Sequence, residues 1–469
     1  MSLKNRLYAI GTLSLVTLAS SSVTAEKGPN IIVIFLDDMG YGDLSCTGAK
    51  GYKTPNLDQM ANNGIRFTNF YIAQAVSGAS RAGLLTGCYP NRIGISGAPG
   101  PNSPTGINSS EETIAEVLKK RGYKTAIYGK WHLGDNEKFL PLNHGFDEYL
   151  GIPYSNDMWP NHPTNKNYPD LPLIEGNKVI ELNPDQSQFT TRFTERAVQF
   201  IIKNRKNPFF IYLAHPMPHV PLFVSDKFKG KSEQGLFGDV LMELDWSVGQ
   251  ILETLMKNNL EKNTLVVFTS DNGPWLNYGN HAGSTGGYRE GKGTSWEGGQ
   301  KVPCIMQWAG TIQPGLICNK LASSIDFLPT FAEICDAPFP DKKIDGISIL
   351  PLLKNEPGSN PRKHFVYYYN RNSLEAVTDG RWKLVFPHRY RTYEDNQPGN
   401  DGSPGPVAQK ETPLMLFDLR RDPGERYDVK SSNPDVVTRL EEIADEARED
   451  LGDDLTEKPG KNRREPGRL

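Results

Sequence analysis

The run Asn30-Ile31-Ile32-Val33-Ile34-Phe35-Leu36 stops abruptly at Asp37-Asp38-Met39-Gly40. A stretch without polar alternation has no solvent face. It therefore reads as a strand buried on both sides, as in a parallel sheet covered by helices. Phe209 to Ala214, announced by Pro208, and Leu265 to Thr269, ended by Ser270-Asp271-Asn272-Gly273, repeat the pattern. Lys124 to Tyr128 reads as a further strand. Between them, Thr113 to Arg121 carries Ile114, Val117 and Leu118 at helical spacing and stops at Gly122; Phe193–Ile202 and Val240–Leu255 are also helical in period. Alternating strands and helices predict an α/β fold with a large, mostly parallel sheet sandwiched by helices.

Around residue 350 the pattern changes. Phe365–Asn370, Leu374–Thr378 and Arg381–Phe386 are short, aromatic and β-branched, with Asp379-Gly380 as a hairpin signal between the last two. Asn396 to Pro406 reads as a loop, Leu416–Leu419 as another strand and Val436–Leu451 as an amphipathic helix. The charged tail after Leu455 is expected to fray. The reading is a signal peptide over 1–25, a catalytic α/β domain over 26–345 and an α+β subdomain, an antiparallel sheet plus helix, over 346–469. No internal repeats are seen.

The signal peptide rests on Lys4 and Arg6, the short apolar run Leu7–Ala19 and the small residues Val23-Thr24-Ala25, with cleavage expected after Ala25. No later stretch approaches the roughly 20 apolar residues of a spanning helix. The expected product is periplasmic or secreted, with no membrane segment after cleavage. A formal net charge of −3 gives no global field for nucleic acid, so an anionic ligand would need local positive charge. The five cysteines, Cys46, Cys88, Cys304, Cys318 and Cys335, form no CxxC pair. They are read mostly as buried thiols, with a Cys304–Cys318 bridge as the alternative.

In open parallel sheets, sites form beyond the carboxyl ends of the strands. Asp37 and Asp38 follow one buried strand, and Asp271 and Asn272 follow another. Three carboxylates and an amide are hard oxygen ligands, suited to calcium or magnesium. Either pair alone is also an ordinary turn; the two together favour a metal. Ser77-Gly78-Ala79-Ser80-Arg81 lies where a helix begins, a place that favours an anion but equally suits a serine N-cap. In Gly129-Lys130-Trp131-His132, strand alternation would place Lys130 and His132 on one face. His219 lies just past the strand Phe209–Ala214, and Lys292 in the Gly-rich loop from Arg289. Metal carboxylates, two histidines and several cations fit hydrolysis of a compact anionic ester.

These segments resemble the formylglycine-dependent sulfatases of the alkaline phosphatase superfamily, in order from Asn30 to about Val429. Ser77 to Gly87 looks like the family signature Cys/Ser-x-Pro/Ala-Ser-Arg-x-x-Leu-Leu-Thr-Gly. Asp37 to Asp43, Gly129 to Gly134, Thr269 to Gly273 and Gly291 to Gly299 are similar to its metal, lysine–histidine and substrate-lysine segments; Leu416–Leu419 with Asp422–Glu425 resembles its C-terminal signature. The resemblance implies that a maturase oxidises Ser77 to formylglycine, whose hydrate attacks sulfur and then expels sulfate. It implies Asp37, Asp38, Asp271, Asn272 and residue 77 around Ca2+, Arg81 and Lys130 beside the formylglycine, and His132 as base. His219 would protonate the leaving oxygen, and Lys292 would bind sulfate. Ser77 and Ala79 depart from the commoner Cys and Pro. Ser-type signatures occur in bacteria with an oxygen-independent maturase; the alternative is an engineered Cys→Ser change that leaves an inactive, substrate-trapping form.

The substrate expected from the resemblance is a sulfated oligo- or polysaccharide, similar to carrageenan-type galactans, with glycosaminoglycans as another option. Tyr154, Asn156, Asp157, Trp159, His162, His215, Tyr278 and His281 sit in loops expected to rim the site, and Arg289 lies in the lysine loop. Arg371, Arg389 and Arg391 could meet further sulfates or be solvated surface. Rival readings are a phosphoesterase or phosphonate hydrolase of the same superfamily, and a glycan-binding protein with unmodified Ser77.

Overall fold

The structure is a computed structural model that describes residues 28–469. The signal-peptide reading lies outside the described residues. Among these, no helix is long and apolar enough to cross a membrane.

Asn30–Leu36 forms the expected strand, and every residue of it is buried. It pairs in parallel with Thr264–Ser270 on one side and Phe209–Ala214 on the other. Lys124–Lys130 and Glu148–Ile152 continue the parallel centre. Antiparallel pairings extend the sheet on both sides, and Leu316–Cys318 adds in parallel to Ile65–Phe67 at one edge, making ten strands that end at Lys178–Leu182 on the other. Side-chain alternation divides the central strand between two cores. Ile31, Val33 and Phe35 pack with Leu84, Leu85 and Phe327 on one face, while Ile32, Ile34 and Leu36 pack with Phe193, Phe237 and Leu244 on the other. Helices Ser77–Thr86, Ile114–Lys119 and Phe327–Ile334 cover the first face. Helices Pro55–Asn62, Phe189–Asn204 and Gly235–Lys257 cover the second. Thr113 caps Ile114–Lys119 in a reciprocal capping box with Glu116, so that helix starts where its sequence says.

Toward the C-terminus, Phe365–Tyr369, Ser373–Thr378, Trp382–Val385 and Met415–Asp418 form a four-stranded antiparallel sheet against helix Pro434–Leu451. A separate ribbon, His388–Thr392 with Ala408–Thr412, carries the Asn396–Pro406 loop at its end. The smaller sheet grips the larger unit through buried charge: the Lys383 ammonium lies 3.1 Å from Glu297 and 2.7 Å from Glu425, and Tyr71 and Tyr367 donate to Glu297.

One expectation is corrected and one alternative is excluded. The tail after Leu455 does not fray: Gly467–Arg468 pairs with Thr105–Gly106, and the Arg464 guanidinium lies 2.7 Å from buried Glu111. Its charges serve specific partners rather than water. Cys304 and Cys318 are not bridged, and all five cysteines are free. Both pair with Phe67 from opposite sides. Two strand spacings, about 9–10 Å, separate them, beyond disulfide reach.

Candidate active site

Register brings the site together. Leu36 pairs with Ser270, so Asp37 and Asp271 leave neighbouring strands at one level; the Asp271 amide still donates to the Leu36 carbonyl at 3.0 Å. Gly129 pairs with Ala214, which sets Lys130 at the same end of the sheet. A Cβ at Gly129 would stand 1.9 Å from the Ala214 carbonyl oxygen, so only glycine allows that approach.

Ser77 opens the helix Ser77–Thr86, but the cap residue is Val76 and the serine makes no capping bond. The N-cap reading therefore fails. Its Oγ lies 2.9 Å from Asp37 and 2.6 Å from Asp271 instead. One hydroxyl hydrogen cannot serve both oxygens, so the second contact needs a proton on a carboxylate or a cation between them. One turn on, Arg81 reaches Asp271 at 2.9 Å and Asp37 at 3.3 Å. Lys130 donates to Asp37 at 2.5 Å, to Ser155 at 3.1 Å and to Ser77 at 3.3 Å. Lys292 lies 2.7 Å from Asp38, which also accepts from the Asn272 amide at 2.6 Å. The lysine loop is pinned between two parts of the site: the Lys292 amide donates to Pro274 and the Gly293 amide to Ala75.

These groups are almost wholly buried, and their ionisation follows from that. Burial would raise the Asp37 carboxyl, but Lys130, His219, Arg81 and Lys292 outweigh it and hold it well below the usual range. Burial and then the negative charge of Asp37 push Asp271 up to about 6. Asn272 Oδ1 is buried and meets no donor among the described residues. Three carboxylates plus an unpartnered amide oxygen fit a hard divalent cation such as Ca2+, with the lysines and arginine now acting as counter-ions. Asp37 and Asp38 also group with His219 as a geometrically feasible metal cluster. An imidazole is the softer donor there, and oxygen is what calcium prefers.

His132 is buried with neither ring nitrogen bonded among the described residues. Burial, then Lys130 and Arg81, hold its pKa well below the ordinary histidine value, so it is a neutral imidazole able to accept a proton. The strand ends at Lys130 and His132 has φ of 63°, so the two residues converge through a turn rather than by strand alternation. Asp38 shares that left-handed φ, and both strained residues lie in the site. His219 is tethered through Nδ1 to the Val220 carbonyl at 2.5 Å, leaving Nε2 3.5 Å from Ser155 and 3.6 Å from Asp38. Burial and then Lys292 lower its pKa, against the pull of Asp38, Asp37 and Asp157.

The structure thus brings together Asp37, Asp38, Ser77, Arg81, Lys130, His132, His219, Asp271, Asn272 and Lys292. The outer set divides. Asp157 is buried within the field of His219, Lys130 and Lys292. Several others are committed elsewhere. His215 is fully buried and bonded to Ser247 of the long helix, so it is no rim residue. Arg289 is a clamp: it stacks 3.7 Å over Trp296 and donates to Glu425 and Tyr390. Tyr154 donates to the Asp170 carbonyl, Trp159 packs on Phe223, and His281 lies against Gly402. Arg391 lies beside Gly293, while Arg371 and Arg389 are exposed. Sequence reading missed Ser155, which links Lys130 and His219, and Trp275. The Trp275 ring lies 4.4 Å from the Lys292 ammonium and 5.6 Å from the His219 ring. Both follow strand carboxyl ends, Glu148–Ile152 and Thr264–Ser270, where the strand-end rule could have found them.

A family model described as Sulfatase matches residues 29–337, and one described as the C-terminal region of aryl-sulfatase matches 360–464. The chain belongs to the sulfatase family. This sulfatase is 37% identical to arylsulfatase A of Homo sapiens, covering 92% of this chain and 90% of that one. It is 36% identical to N-acetylgalactosamine-6-sulfatase of Mus musculus, covering 94% and 90%. Among solved structures, Ps i-CgsB in complex with k-i-k-neocarrahexaose is similar at a TM-score of 0.73 and 29% identity, covering 90% of this chain and 92% of that one. The enzyme is a sulfuric ester hydrolase, and its fold is the family's α/β sheet with a smaller antiparallel sheet.

Proposed function

We infer that this sulfatase removes sulfate from a sulfated carbohydrate, using a formylglycine made from Ser77 and a calcium ion. The observation that carries the reading is the Ser77 hydroxyl, held between Asp37 and Asp271 with Arg81 and Lys130 alongside. A simple structural serine has no need of two carboxylates and two cations. Hydrated formylglycine supplies two hydroxyls on one carbon, one to attack sulfur and one to allow sulfate to leave. Asp37, Asp38, Asp271, Asn272 and residue 77 would hold calcium, whose charge would polarise the sulfate ester.

The chain's own residues then divide the work. Arg81 and Lys130 orient residue 77 and favour its deprotonated form. His132, neutral and unbonded, takes a proton as sulfate departs. His219, with Nδ1 tied to the Val220 carbonyl, would have to enter as the imidazolium that Asp157 favours, and then gives its Nε2 proton to the ester oxygen that becomes the alcohol. Lys292, with Trp275 over its ammonium, neutralises sulfate oxygens. Asp157 faces the carbohydrate. A galactose-type sulfate, as in a carrageenan-type galactan, is supported by relatives named for N-acetylgalactosamine 6-sulfate and by the neocarrahexaose complex. Export to the periplasm or medium, and maturation by a formylglycine-generating enzyme, complete the proposal.

Peptide mass spectrometry of residue 77 tests it, formylglycine lying about two mass units below serine. Oxidised protein should hydrolyse 4-nitrophenyl sulfate faster than the phosphate, lose that activity in EGTA and regain it with Ca2+. Unmodified Ser77 from a host carrying the maturase, or preferential phosphate release, would refute it.

A further inference from the structure

Asp157 is a carboxylate that bonds to none of the hydrolytic groups. It is 7% exposed, and its Oδ1 has no hydrogen-bond partner among the described residues. Oδ2 lies 3.6 Å from His162 Nε2. His162 Nδ1 accepts from the Thr164 and Asn165 amides, so Nε2 carries the ring hydrogen and points it toward Asp157. The segment before it is bolted down. Ser155 joins Lys130 and His219, and the Asn156 amide donates to Gln186 and to the Pro221 carbonyl, two residues past His219. Asp157 is therefore carried to the His219 side of the site, within the field of His219, Lys130, Lys292 and His132.

A negative group here works against binding any sulfate unless it recognises something else. What an ionised carboxylate can do is accept hydrogen bonds, and an unpartnered buried oxygen is costly until a donor arrives. The groups on a sugar sulfate that an aryl sulfate lacks are hydroxyls near the ester. Resting on the sulfatase reading above, we propose that Asp157 is a specificity-determining residue. Its free Oδ1 accepts a hydrogen bond from a sugar hydroxyl close to the scissile ester, and its charge disfavours a second sulfate at that position. Sites built to bond a substrate hydroxyl discriminate strongly against analogues without it.

The test compares Asp157→Asn with the parent, both carrying formylglycine, on galactose 4-sulfate, galactose 6-sulfate, galactose 4,6-disulfate and 4-nitrophenyl sulfate. For the better monosulfated sugar, the ratio of its kcat/KM to that of the aryl ester should fall at least about ten-fold in the variant. The disulfate should gain relative to that monosulfate. A sugar-to-aryl ratio within about two-fold of the parent's would overturn the inference, because Asp157 would then act through His219 on every ester alike. Aryl turnover by the parent with no release from any sugar would overturn it too, while leaving the sulfatase reading intact. Failure on every ester would overturn both. If Asp157→Asn is unstable, the parent alone decides: the deoxy analogue of the better monosulfate that lacks the free hydroxyl beside its ester (4-deoxygalactose 6-sulfate, or 6-deoxygalactose 4-sulfate) should be a poorer substrate than the sugar sulfate itself, and equal turnover would overturn the inference.

Discussion

Two buried clusters of carboxylates and cations differ in what they leave unbonded. At the join between the sheets, Glu297 accepts from Tyr71, Tyr367 and Lys383, so both its oxygens are occupied. At the strand ends, Asn272 Oδ1, both nitrogens of His132 and Asp157 Oδ1 have no partner among the described residues, and Asp38 and His132 hold positive φ. Glu297 is fully bonded and reads as a fastening, while Glu425 Oε1 beside it meets Lys383 as an ion pair. The second cluster is complete only when something binds. Burial and charge alone do not separate structure from function, and neither does a single unbonded atom, since the His144 ring and the Gln300 amide are also unpartnered among the described residues. What marks the strand ends is unmet capacity gathered beside the Ser77 carboxylates together with two left-handed residues.

Four substitutions probe this contrast. Ser77→Ala should lower kcat by about 10^4-fold or more while Tm stays near the parent's or rises, since the bonds it removes join only crowded carboxylates and a lysine of the site and none of the contacts that hold the sheets together. A large fall in Tm would mean the strand-end cluster is also a fastening. Glu297→Ala should do the reverse and destabilise by about 3–5 kcal/mol in denaturant titration, because Lys383 loses a buried partner. The protein that remains folded in the cold should keep kcat near the parent's; a selective loss of kcat would dissolve the distinction.

Glu375 sharpens the structural side. It sits 3.3 Å from His388 Nε2, and burial pushes its carboxyl up to about 8. The folded protein therefore keeps a proton that the unfolded chain has lost above about pH 4.5. This residue's stabilising effect is full below pH 4.5 and declines as pH rises toward 8. Glu375→Gln should raise stability at pH 8 by on the order of 2 kcal/mol and flatten Tm between pH 5 and 8. An unchanged pH profile would show that Glu375 is ionised when folded. The smallest effect is expected from Trp275→Leu, which removes the ring over Lys292 and should cost about five-fold in kcat/KM. No change would place Trp275 among packing residues.

The central strands, their helices and the strand-end carboxylates were legible in the sequence because burial on both faces and helical period are local patterns, and the ordered motifs carried the family. Legibility fell off where residues act through distant partners. The tail after Leu455 looked solvated because its partners, Glu111 and Arg92, lie hundreds of positions earlier. His215 and Arg289 looked available because nothing local shows that Ser247, Trp296 and Tyr390 claim them.

The sequence alone therefore determined the α/β frame and which polar residues stand at its strand ends: the paired carboxylates, the two histidines and a serine at a helix start. Only the tertiary structure decided which of those polar groups remain free. Register put Asp37, Lys130 and Asp271 around Ser77, while packing consumed His215 and Arg289 and left His132, Asn272 and Asp157 with bonds to make. The physical reason is that hydrogen-bond satisfaction is a property of neighbours in space, which no local spacing along the chain records.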